Sequence, residues 1–99
     1  MGFEFRDPWF RIGNDRGLAK NLENELRDEL DVRHPLHGIR FAAIAKHEGC
    51  DDVLYQFLDG STRVAVVHLT WARHPEPPPW PIAEIFPSIE DWTEQLNTT

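Results

Sequence analysis

The chain predicts an α+β domain: an N-terminal helix, a three-stranded antiparallel β-meander, a proline-rich crossing and a short C-terminal helix. Three observations carry this. Leucines recur every fourth residue from Leu18 to Leu30, three apolar runs separated by short polar turns follow, and six of the eight prolines fall between Pro75 and Pro87. At 99 residues, with 40% hydrophobic and 27% charged residues, the chain is sized and balanced for one folded domain, residues 1–99.

Residues 1–14 form an N-terminal arm with Phe3, Phe5, Trp9 and Phe10 set among charges, ending in the turn-like GND. That much aromatic surface is expected to pack on the domain or on a second subunit. Asp15 is a good N-cap for the helix that follows, and Leu18, Leu22, Leu26 and Leu30 draw a slanted apolar stripe along it. The helix stops at DVRHP, because the residue before Pro35 is pushed out of the α region.

The three strands are expected over residues 38–46, 52–58 and 62–71, with Gly60 in the DGST turn supplying the positive φ that hairpins favour. An even-length hairpin loop would set Val53, Tyr55 and Phe57 on one face with Val64, Val66 and His68. An odd-length loop would exchange those partners. Residues 72–87 then make a stiff crossing, since consecutive prolines donate no backbone hydrogen bonds. It ends at SIED, a capping box with Asp in the Glu place, and Ile89, Trp92 and Leu96 share one face of the helix that follows.

A net charge of −7, with no basic stripe, disfavours nucleic acid and anionic membranes as partners. Five acids between Glu23 and Asp31 against one base, Arg27, predict a negative helix face suited to a basic protein partner. A single cysteine, Cys50, leaves no intrachain disulfide, and charges near the N-terminus interrupt any secretory apolar region, so the expected setting is cytoplasmic. No apolar run is long enough to span a bilayer.

Metal-ligand spacing gives the sharpest candidate site. His34 and His37 form H-x-x-H, and His47 and Cys50 form H-x-x-C, a knuckle-like set on paper. The first strand lies between the pairs and carries them roughly 25 Å apart, so the reading is no metal and no cofactor. His34 is expected to sit at the helix C-terminus, where an imidazolium meets a favourable dipole.

His68, inside the third strand, is either a packed strand histidine or a general base supported by Asp52 or Glu84. Together with His34 and Asp52 it makes the candidate catalytic set. No nucleophile motif and no glycine-rich phosphate loop accompanies it, and the acidic neighbours of Cys50 disfavour a reactive thiolate. Trp71, Trp80 and Trp92 with Pro78 form the candidate partner-binding surface, against the plainer reading that these rings pin the crossing to the sheet.

With these residues laid out, HPLHG at 34–38, DDVLYQFLDG at 51–60 and AVVHLTW at 65–71, followed by an acidic helix with Trp92, resemble a family of small uncharacterised bacterial proteins carrying an HPL-x-G, DDVLF-like, DG, AVVHLTW order. The resemblance spans roughly residues 22–96. It implies a compact bacterial cytosolic domain, with no activity attached; His37 stands where that pattern has an aromatic.

The functional expectation is a non-enzymatic protein-binding or accessory module, immunity- or antitoxin-like, with a basic partner. The alternative is a small histidine-based enzyme or metal-binding protein centred on His68. Apolar residues on both sheet faces, with the aromatic arm, also point to a homodimer.

Overall fold

A computed structural model describes residue 5 and residues 7–97. Phe3 of the aromatic arm lies outside the described residues. In chain order the elements are β1 (Trp9–Arg11), α1 (Arg16–Glu29), β2 (Phe41–His47), β3 (Asp52–Phe57), β4 (Val64–His68), β5 (Ile82–Phe86) and α2 (Ile89–Asn97). The strands form one antiparallel sheet in the order β1-β2-β3-β4-β5.

The sheet therefore has five strands where the sequence predicts three. β1 lies inside the aromatic arm and β5 inside the expected proline crossing. Both escaped detection for physical reasons: β1 is only three residues long, and β5 is bracketed by Pro81 and Pro87. Proline in a sheet is confined to edges and strand ends, where β5 sits. The crossing proper is shorter than expected and it turns, with the Trp80 N–H donating to the Pro77 carbonyl at 3.1 Å. The peptide bonds before Pro79 and Pro81 are cis.

α1 begins where Asp15 accepts the Leu18 N–H at 3.0 Å, the expected N-cap. Its stripe of Leu22 and Leu26 packs on one face of the sheet, against Ala43, Val53, Tyr55, Phe57, Ala65 and Val67. The β3–β4 register pairs Tyr55 with Ala65 and Val53 with Val67, so the hairpin takes the odd-length arrangement. On the other face α2 lays Trp92 against Trp9, Ala45, Leu54, Val64 and Phe86. Trp9 and Trp92 meet edge to face with centroids 5.1 Å apart, as aromatic quadrupoles prefer.

Ser88 opens α2 by accepting the Asp91 N–H at 3.2 Å, with its hydroxyl on the Asp91 carboxylate at 2.8 Å. A helix on each face leaves a three-layer domain whose two sheet edges, β1 and β5, carry no further strand among the described residues.

Candidate functional site

β4 and β5 pair so that His68 lies opposite Ile82, while β3 places Asp52 on the other side of His68. These three side chains share the α2 face of the sheet at the end that α2 does not cover. The His68 Nδ1–H donates to Asp52 Oδ1 at 2.8 Å, and the imidazole is half exposed. The expected support by Asp52 is present; Thr70 and Glu84 make no bond to this ring.

A histidine oriented by a carboxylate can abstract a proton. No serine, threonine or cysteine among the described residues bonds the ring, and the cleft of about 630 Å³ between α1 and the start of β2 includes neither His68 nor Asp52.

His34 does not join this pair. It is buried, with Nδ1 accepting the Leu36 N–H at 3.1 Å and Nε2–H donating to the Pro81 carbonyl at 2.9 Å, so both ring nitrogens are spent on the fold. Its work is to tie the segment after α1 to the entry of β5. β2 runs between the His34/His37 and His47/Cys50 pairs, and no group of three or more metal-ligating side chains forms among the described residues. His47 accepts the Gly49 N–H, and Lys46 closes the same turn on the Cys50 carbonyl at 2.8 Å.

The tryptophans divide. Trp92 is core, 3% exposed, while Trp71 and Trp80 lie at the surface, 40% and 46% exposed. Trp71 Nε1–H donates to Asp51 at 3.3 Å, one residue from the His68 partner. After Trp80, β5 exposes Ile82 and Ile85, at 45% and 44%, with Glu84 between them in sequence and Pro78 on the adjoining turn. Ile82 and Ile85 alternate to opposite faces of this edge strand, opposite His68 and Ala65 of β4, while the Trp71 ring lies on the β3 side of β4 at Asp51.

A second cluster escaped the sequence reading. Glu29 is fully buried and Glu25 nearly so; they belong to the same helical stripe as Leu22 and Leu26 rather than to an outward negative face. Glu29 accepts the Thr70 N–H at 2.9 Å and the Trp71 N–H at 2.8 Å, and Glu25 accepts the Arg73 N–H at 3.1 Å. Thr70 bonds Glu76, whose own N–H returns to the Glu29 carbonyl.

These carboxylates hold a loop in which Trp71 and Arg73 have φ of 59° and 63°, a left-handed conformation costly for residues with a Cβ. Burial, then the neighbouring Glu25, pushes the Glu29 carboxyl up to about 7. Spacing was the available signal: residues 22, 25, 26 and 29 fall on one helical face, so acids at 25 and 29 face the sheet.

The remaining acids of the expected negative face are also engaged. Glu23 accepts the Ala43 N–H at 2.8 Å, and Asp31 pairs with Arg33 at 2.8 Å. Asp28 alone of the five is exposed without a bond among the described residues. A basic partner meeting α1 would find little free negative charge.

No family model, curated protein or solved structure matches the chain. Among the described residues no helix is long and apolar enough to cross a membrane.

Proposed function

We propose that the protein is a small bacterial accessory module, of the immunity or antitoxin kind, that binds a basic segment of a partner protein along β5. The observation that supports this is the edge itself. Ile82 and Ile85 are exposed on an edge strand that pairs with β4 on one side only among the described residues, with Trp80 on the turn before it and Glu84 at the strand's centre. Unpaired strand edges recruit another strand through main-chain hydrogen bonds, and exposed aromatic anchors supply the side-chain component of such recognition.

Glu84 decides between occupants. Antiparallel self-pairing of two β5 strands about their midpoint would set one Glu84 against the other, and like charges directly opposite destabilise a sheet. A strand bringing Lys or Arg to that position gains instead. The flanking prolines keep the edge to five residues, which limits indiscriminate pairing. A reducing, cytoplasmic setting suits the single free thiol of Cys50.

The test is a photo-crosslinking amino acid placed at Ile82 in cells, with the same probe at Lys20 on α1 as a control. The expected result is one heterologous adduct specific to position 82, abolished by Glu84→Lys. A product of twice the chain mass would favour a homodimer over this reading, and no adduct at all would overturn it.

A further inference from the structure

At the opposite side of the molecule from β5, α1 and the start of β2 enclose the cleft of about 630 Å³, a volume in the range that small-molecule sites occupy. It exists because β1 is short. β1 pairs with residues 45–47 of β2, and Ile12 reaches the Ile44 carbonyl, so residues 41–43 have no strand beside them on that edge among the described residues. Glu23 fills part of the gap by taking the Ala43 N–H.

The lining is unlike the rest of the surface. In a chain of net charge −7, three of the eight arginines, Arg16, Arg27 and Arg40, converge on this cleft together with His37. Among the described residues Glu23 is the one acid in the wall, and one of its oxygens is already committed to the backbone. Arg27 spends one nitrogen on Asn24 at 2.7 Å. Among the described residues the Arg16 and Arg40 guanidinium groups have no hydrogen bond or ion pair, so their donors are available.

The base of the cleft is apolar, made by Leu26, Leu30, Ile39 and Phe41, and Leu58 stands 51% exposed at its rim. Guanidinium forks match carboxylate and phosphate oxygens two at a time, and apolar walls take hydrocarbon or aromatic surface.

We propose that this cleft binds a small amphiphilic anion, a carboxylate or phosphate head on an apolar body, with Arg16, Arg27 and Arg40 around the head and Ile39, Phe41 and Leu58 against the body. The site is separate from the β5 edge, so the two readings stand or fall independently.

The experiment is an amide NMR titration of the full chain with phenyl phosphate, phenylacetate, inorganic phosphate and benzyl alcohol in turn. Saturable shifts at Ile39–Ala42 are expected with phenyl phosphate or phenylacetate, whichever head fits, and the tighter of the two identifies that head. Inorganic phosphate and benzyl alcohol should each bind at least about tenfold more weakly, because each keeps half of the recognition.

The double variant Arg27→Gln/Arg40→Gln should lose at least about tenfold in affinity with its amide spectrum otherwise intact, since both side chains are at the surface; Lys20→Gln should not. No saturable shift with either amphiphile would overturn the proposal. Equal binding by inorganic phosphate, or by the double variant, would overturn it too.

Discussion

The Glu29 carboxylate accepts the backbone N–H of Trp71 at 2.8 Å across 42 residues of sequence, and in doing so fixes the left-handed turn that presents the Trp71 ring at the surface. A buried acid of α1 thus sets the exposed ring that bonds Asp51, next to the His68–Asp52 pair. Fold and candidate site meet at this bond.

Glu29→Ala removes the acceptor of two backbone donors, Thr70 and Trp71, and leaves a void against the sheet. Unsatisfied buried donors cost about 1–3 kcal/mol each, so a loss of roughly 3 kcal/mol is expected in urea unfolding. A change below about 1 kcal/mol would mean that the loop is held by other contacts.

The same residue gives stability a pH dependence of unusual sign for an acid. Its carboxyl is raised from 4.5 to about 7, so the folded chain holds this proton more tightly than the unfolded one, and stability falls as pH rises from about 4.5 through about 7. Glu25, Glu76 and the Tyr55 ring are the neighbouring groups that share this environment. Glu29→Gln should flatten that limb in denaturation measured pH by pH. At the acid end Asp31 and Asp59, both held near 2 by hydrogen bonds to Arg33 and to Ser61 respectively, contribute stability that is lost as pH drops from about 4 to about 2.

Two histidines should respond unequally to truncation. His34→Ala strands the Leu36 N–H and the Pro81 carbonyl in a buried site and is expected to cost about 2–3 kcal/mol. His68→Ala removes a half-exposed ring paired with a partly exposed carboxylate and should fall within about 1 kcal/mol of the parent. Chemical denaturation of both variants checks the contrast, and a reversal would mean that the His68–Asp52 pair holds the sheet end together.

Gly38 has a φ of 83° with open space around its missing Cβ. Gly38→Ala therefore meets no clash and should cost only the left-handed penalty, about 1–2 kcal/mol, in the same assay. A neutral result would show that the turn relaxes.

Much of the fold was written locally. Asp15 and the leucine stripe specify α1, the Ser88 cap specifies α2, and Val53–Phe57 with Val64–Val67 specify the central hairpin, because caps and periodicities act over a few residues. The same locality explains His68 beside Asp52, two strand residues whose meeting depends only on the hairpin.

What only the tertiary structure decided involves partners far apart in sequence. β1 becomes a strand because β2 offers it an edge, and β5 because β4 does; neither three residues nor a proline-bracketed five carries enough pattern alone. The placement of Trp92 in the core and Trp80 outside it follows from which rings α2 and the sheet enclose. Glu25 and Glu29 turn inward for the same reason. A carboxylate is polar in any composition count, yet burial is tolerable once a distant loop supplies N–H donors, and no local pattern announces that loop's arrival.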